Sequence, residues 1–370
     1  MAVPLLDLTR QYASLRGEVR GVLDRVCEAQ RFILGPEVEA FEEESARALG
    51  SAHAVGVSSG TDALLVALMA LGVGPGDEVI LPAFTFFATA GVVARLGAVP
   101  VFADIDPVDF CMPAAEVARL RTPRTRAVIP VHLFGQAAPM AAILEAAEGL
   151  PVLEDCAQAW GAAFDGQGVG TMGILGAFSF FPSKNLGGFG DGGLVTTGDG
   201  ELAARLRELR MHGQSGPYLH PRVGGNFRLD ALQAAVLRVK LPHVQSWIRG
   251  RRENAARYRE LFEQAGLHGV VGLPAEVPGR GHTYNQFVIR VPRRDELRAY
   301  LLERGIGCAV YYPLPLHLQP CFSELGGREG DLPEAERASR EVLAIPVFPE
   351  LTAAEQEEVV DAIAGFYGKA

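Results

Sequence analysis

The chain has 370 residues, 48% of them hydrophobic, and a formal net charge of −10. That length exceeds one typical core and predicts one large domain with a smaller one beside it. The negative balance excludes a general nucleic-acid or anionic-membrane surface, while leaving room for a local phosphate pocket.

No apolar run approaches the ~18 residues of a membrane span. The opening MAVPLLDLTRQ has neither the basic start nor the hydrophobic stretch of an export signal, so an unexported, cytoplasmic protein is expected. Cys27, Cys111, Cys156, Cys308 and Cys321 are scattered, odd in number and free of C-x-x-C or Cys/His ligand spacing. Reduced thiols and no metal site are expected from that pattern.

In chain order, the first informative stretch is SSGTDALLVALMAL, residues 58 to 71. Ser58, Ser59, Gly60 and Thr61 open an apolar helix, where unpaired N–H groups and the positive end of the helix dipole suit an anion such as phosphate. The same residue types cap ordinary helices, so this stretch alone leaves both roles open. The runs EVILP, VPVFADI, AVIPVHL, PVLED, AFSF and GLVTT then alternate with helical patterns as far as residue 197. That rhythm predicts a mostly parallel sheet wrapped by helices, with ligands at the carboxyl ends of its strands.

Phe86, Asp155 and Lys184 stand at such ends. PAFTFFATA offers Phe84, Phe86 and Phe87 as aromatic surfaces, each of which also suits a core. Asp155 closes PVLED, where a carboxylate is solvated, caps a helix or pairs with a buried cation. In FSFFPSKNLGGFGDGG, Gly188, Gly190 and Gly193 satisfy G-x-G-x-x-G, but the following GLVTT reads as a strand and offers no helix N-terminus to a dinucleotide. Lys184 is then either a solvated lysine in a glycine-rich turn or a reactive one. Pyridoxal phosphate needs a lysine, a carboxylate for its ring nitrogen and an anion cradle, and the chain offers all three at strand ends, with Ser179 as a further donor.

A helix is expected over about 200–212, and RLDALQAAVLRVKL forms a second before Pro242. The smaller domain is placed at 241–370, after a large domain over 1–240 that includes an N-terminal helical segment. It holds a long helix, strand-like YNQFVIRV, helical RDELRAYLLERG and the proline-rich YYPLPLHLQP. The last helix starts at a capping box of Thr352 and Glu355 and carries Val359, Ile363 and Phe366 on one stripe.

Several long segments, from VSSGTDALLVALMALGVGPGDEVILPAFTFFATA through VFADIDP, EDCAQAWGA and FSFFPSKNLGGFGDGG to NFRLDALQAAVLRVKL, resemble the DegT/DnrJ/EryC1/StrS sugar aminotransferases. The resemblance covers essentially the whole chain. It implies an α/β protein of the pyridoxal-phosphate fold type I, with a mostly parallel sheet flanked by helices and a smaller C-terminal α+β domain. By the same resemblance Lys184 is the Schiff-base lysine, Asp155 faces the ring nitrogen, Gln158 the ring hydroxyl and Phe86 the ring face. Gly60, Thr61 and Ser179 hold the phosphate. Asn226 reaches the neighbouring subunit's cofactor, which implies a homodimer with shared sites.

The implied reaction moves an amino group from L-glutamate to a nucleotide-linked keto sugar. Dehydratases of this kind carry histidine where this chain has Lys184, which favours an aminotransferase, and the full set of reactive groups disfavours a regulatory role. RMHGQSGPYLHPRVGGNFRLD, residues 210 to 230, is similar to members acting on UDP-linked 2-acetamido-3-keto uronic acids. Members acting on dTDP-linked 3-keto-6-deoxy sugars are the near alternative, and 4-keto sugars a further one. Arg228, Tyr311 and His317 are the substrate-side candidates, although many relatives have histidine at the position of Tyr311.

Overall fold

A computed structural model describes residues 2–368. The strands are β1 (His53–Val57), β2 (Glu78–Pro82), β3 (Val99–Ala103), β4 (Thr125–Val128), β5 (Leu153–Asp155), β6 (Ala163–Phe164), β7 (Gln167–Gly168), β8 (Leu175–Ser179), β9 (Gly193–Thr197), β10 (Phe287–Arg290) and β11 (Val342–Ile345). The helices are α1 (Leu8–Ala29), α2 (Pro36–Leu49), α3 (Gly60–Ala70), α4 (Ala88–Arg95), α5 (Ala114–Leu120), α6 (Met140–Ala147), α7 (Gly200–Arg210), α8 (Ala231–Lys240), α9 (Val244–Gln264), α10 (Arg294–Glu303), α11 (Pro333–Glu341) and α12 (Ala353–Phe366).

Two ladders, β1-β9-β8-β5 and β3-β2-β4, are joined by parallel bridges from Val128 to Val152 and from Val131 to Asp155. The result is one wide sheet in which β5, β8, β2, β3 and β4 pair in parallel, while β9 runs antiparallel to both β1 and β8. All five residues of β2 are buried, as a strand covered on both faces requires. The same holds for α3, where Ala63 through Leu68 are buried against the sheet.

The C-terminal core gathers Tyr258 and Phe262 of α9, Phe287 and Ile289 of β10, Leu297 and Leu301 of α10, and Val359 and Ile363 of α12. Val3 joins it, bridged to Ile306, so the start of the chain is built into the core of its last third. Helix α9 serves two cores, with Val244, Trp247 and Ile248 packed among residues of α1, α2 and α8 before Tyr258 enters the C-terminal one. Thr352 and Glu355 form the expected capping box, and Arg10 donates to Glu355 Oε2 at 2.9 Å from across the chain.

Two local expectations are corrected. The helix expected from Arg228 begins only at Ala231, because Arg228 is held in an antiparallel bridge with Val57 and Leu229 is drawn into the core. The strand over AVIPVHL stops at Val128, since Pro130 has no N–H to continue the ladder. Strands β1 and β11 were not expected from the sequence.

Candidate active site

The N-terminus of α3 meets the end of β8. Ser59 caps the helix by accepting the N–H of Asp62 at 3.0 Å, while Ser58 donates from Oγ to Asp62 Oδ2 at 2.7 Å. These bonds hold the two serines and leave the first-turn N–H groups of Gly60 and Thr61 facing outward as donors. A Cβ at Gly60 would fall 2.6 Å from the Cβ of Ser179, and one at Gly193 would fall 2.3 Å from the carbonyl oxygen of Ser59. Glycine at both positions lets three segments converge on one small pocket of donors.

Asp155 ends β5 and is only 5% exposed. No helix follows it, so it is not a cap. Its Oδ2 accepts from the hydroxyl of Thr89 at 2.9 Å and its Oδ1 from the N–H of Ala157 at 3.1 Å. Both donors are neutral. Burial therefore pushes its pKa up, with those bonds and the charge of Lys184 offsetting part of the rise.

Lys184 lies on the turn after β8, fixed by its own N–H donating to the carbonyl of Phe181 at 2.9 Å. Its side chain is half-buried. Burial lowers the ammonium from 10.5 to about 8, against the pull of Asp155. The amine is thus much closer to its nucleophilic form at neutral pH than a solvated lysine.

Gln158 is 8% exposed; it accepts the Phe134 N–H at 2.6 Å and donates to the Tyr312 hydroxyl at 3.1 Å. Tyr312, which the sequence reading passed over in favour of its neighbour, also packs its ring 6.3 Å from that of Phe86. Phe86 is 58% exposed and open to a flat ligand. Tyr311 lines a cavity of about 50 Å³ with Ser183, Arg251 and Asn285.

The remaining candidates sit on segments that border these groups. Asn226 is exposed, bridged to Met211, on a segment whose Phe227 carbonyl accepts from Ser58 N at 3.0 Å. Arg228 is half-buried; it donates to the sulfur of Met211 at 3.8 Å, and its Nε has no partner among the described residues. His317 is drawn inside rather than left open to a substrate. It is 4% exposed, in a short 3-10 helix over Leu316–Leu318, with Nε2 set 3.2 Å from Glu336 Oε1.

Behind Asp155, the fully buried His132, Glu154 and Cys156 lie close enough together to hold a metal ion. The imidazole and carboxylate are already engaged, His132 Nδ1 by the Ala138 N–H, and Glu154 by His132 Nε2 and the N–H groups of Gly170, Met172 and Gly173. Their first role is to lock β5 to its neighbouring loops.

A lysine with a depressed pKa, a buried carboxylate lacking a bonded cation, an open aromatic face and a cradle of donors fit pyridoxal phosphate, whose protonated ring nitrogen would relieve Asp155. The fold and this set define a pyridoxal-phosphate-dependent aminotransferase of fold type I. A model of the DegT/DnrJ/EryC1/StrS aminotransferase family matches residues 14–364, and the chain belongs to that family.

Among curated relatives, a "pleiotropic regulatory protein" of Geobacillus stearothermophilus is 52% identical, with 99% of each chain covered. A dTDP-3-amino-3,4,6-trideoxy-alpha-D-glucose transaminase of Streptomyces venezuelae is 46% identical, over 98% of this chain and 95% of its own. A UDP-N-acetyl-3-dehydro-alpha-D-glucosamine 3-aminotransferase of Acidithiobacillus ferrooxidans is also 46% identical, over 95% and 94%. The crystal structure of S. venezuelae DesV superposes with a TM-score of 0.94 at 45% identity, covering 99% of this chain and 98% of that one. NtdA of Bacillus subtilis, solved with the cofactor PMP, gives 0.92 at 31% identity, covering 100% and 85%.

Proposed function

We propose that the protein moves the amino group of L-glutamate to C3 of a nucleotide-linked keto sugar, a UDP-2-acetamido-2-deoxy-3-oxo-hexuronate. The observation that carries the transamination reading is the pairing of Lys184, its ammonium depressed to about 8, with a buried Asp155 bonded only to neutral donors. Bound pyridoxal phosphate would supply an electrophilic aldehyde and an electron-accepting ring. Asp155 would hold the proton on the ring nitrogen, and Gln158 and Phe86 would orient the ring. Gly60, Thr61 and Ser179 would bind the phosphate. Lys184 Nζ would carry the proton from the donor's α-carbon to the cofactor's former aldehyde carbon, on the far side of the nitrogen, and would make the same transfer in reverse for the sugar.

Amination at C3 is supported by the names of the two 46% identical transaminases, both of which specify position 3. The uronate reading rests on Arg228, whose guanidinium is bonded to a methionine sulfur and leaves Nε unpaired. A planar fork in that state suits a carboxylate through two charge-assisted bonds. The second reading, a dTDP-linked 3-keto-6-deoxy sugar, is favoured by the S. venezuelae relative. Tyr311 would border the sugar, whereas His317, turned to Glu336, would act only by supporting the wall. The protein would work in the cytoplasm as a homodimer, with Asn226 serving the partner's site.

The test runs the reaction backwards, following 2-oxoglutarate-dependent loss of the 3-amino sugar nucleotide by mass spectrometry. The uronate should turn over faster than its 3-amino-6-deoxy counterpart, and Arg228→Ala should remove that preference. Faster turnover of the 6-deoxy or of a 4-amino sugar would replace the substrate and leave the transamination reading in place.

A further inference from the structure

Lys240 is the last residue of α8 and is 4% exposed, although among the described residues no carboxylate is hydrogen-bonded to it. Its Nζ donates to the carbonyl of Gly187 at 2.5 Å and lies 5.8 Å from the ring centres of both Phe189 and Trp247. Burial lowers its pKa to about 8, and only the more distant charge of Glu350 opposes this. Keeping an ammonium in such a place costs free energy that a methionine of similar length would avoid. A lysine at a helix C-terminus commonly serves the helix dipole by turning to the helix's own last carbonyls. This one instead reaches 53 residues back along the chain.

Its acceptor belongs to the turn that carries Lys184. A Cβ on Gly187 would fall 2.3 Å from the carbonyl oxygen of Pro182, so Gly187 and Pro182 are pressed together on either side of Lys184. Inside the turn, Lys184 N donates to Phe181 O at 2.9 Å and Gly188 N to Phe180 O at 2.7 Å. From outside, α8 grips it twice, since Gln233 Oε1 also accepts the Phe189 N–H at 2.8 Å. A shift of Gly187 therefore has no slack to absorb it before it reaches Lys184.

We propose that Lys240 is a positioning residue for Lys184, holding the Gly187 carbonyl so that the turn presents the Lys184 amine in one fixed place. This rests on Lys184 being the reactive amine, but the first measurement does not. In the cofactor-free protein, Lys240→Met should speed hydrogen exchange at the Lys184 and Gly188 amides on the order of tenfold, leaving α12 unchanged. In the loaded enzyme, kcat should fall on the order of 10- to 10²-fold with little change in the KM for glutamate, as misplacement of a reacting group does. The pH midpoint of the lysine-bound cofactor's absorbance should move as well. Lys240→Arg keeps a charged donor and should recover part of both effects. Lys240→Gln, shorter and uncharged, is measured alongside, so that a methionine variant that fails to fold still leaves a reading. Wild-type exchange rates and a wild-type absorbance midpoint in Lys240→Met, or in Lys240→Gln where the methionine variant does not fold, would overturn the proposal, even if that variant melted earlier. A native protein that never binds pyridoxal phosphate would overturn the transamination reading instead.

Discussion

Gly60 and Ser179 are in backbone-to-side-chain contact: a Cβ on the glycine would sit 2.6 Å from the serine Cβ and 3.1 Å from its Cα. The start of α3 and the end of β8 can share one pocket only because residue 60 lacks a side chain. Gly60→Ala should destabilise the protein by about 1–3 kcal/mol, the range for overpacking a tight site. Adding Ser179→Gly removes the atom that clashes and should restore most of the loss. Urea unfolding of the two variants checks this, and a double variant no more stable than Gly60→Ala would show that the clash lies elsewhere.

Lys184 should titrate as an unusual lysine. With its pKa lowered by burial to about 8, the fraction of free amine rises steeply between neutrality and that value and is nearly complete above it. The rate at which pyridoxal phosphate combines with the apo-protein should therefore climb with pH and level off above about 8, whereas an unperturbed lysine would keep rising towards ~10.4. Lys184→Ala should abolish this phase, which separates it from Lys240. A rate that is still rising at pH 10 would contradict the buried setting.

Asp155→Asn separates charge from shape. The amide can still accept from Ala157 N and donate to a rotated Thr89 hydroxyl, so the hydrogen-bond positions remain filled. Burial has raised the carboxyl's pKa, so its ionised form is disfavoured in the fold and stability falls as pH rises from the unfolded value towards the raised one. The apo variant should thus melt no earlier than wild type at neutral pH. Its kcat should nevertheless fall on the order of 10²-fold or more, as loss of a key electrostatic partner does. Turnover close to wild type would reduce Asp155 to a structural acid.

Asn226 is exposed in the isolated chain and sits on the segment that pairs with Met211 and leans on Ser58. If it serves the partner's site, an inactive Lys184→Ala chain mixed with an inactivated Asn226→Ala chain should regain activity, because one site of each hybrid dimer is intact. About a quarter of wild-type turnover is expected at full exchange, with half the dimers hybrid and one of two sites working. Proven hybrids with no recovery would place Asn226 within its own chain's site.

Local pattern in the sequence was enough to set the alternation of strands and helices, the cap at Thr352, the placing of Asp155 at a strand end and that of Lys184 in the turn beyond one, because period, capping and strand termini are properties of neighbouring residues. What surrounds those residues was decided by pairing over long separations. Thr89 reaches Asp155 across 66 residues, and Tyr312 reaches Gln158 across 154. Arg228 reads as helical in its own window, yet a bridge to Val57 draws it into an extended segment, and His317 reads as a loop residue until Glu336 takes it inside. A local window carries no term for a partner that arrives from elsewhere in the chain. The sequence therefore determined which residues could react, and the packing of distant segments decided their charge, their orientation and which of them meet.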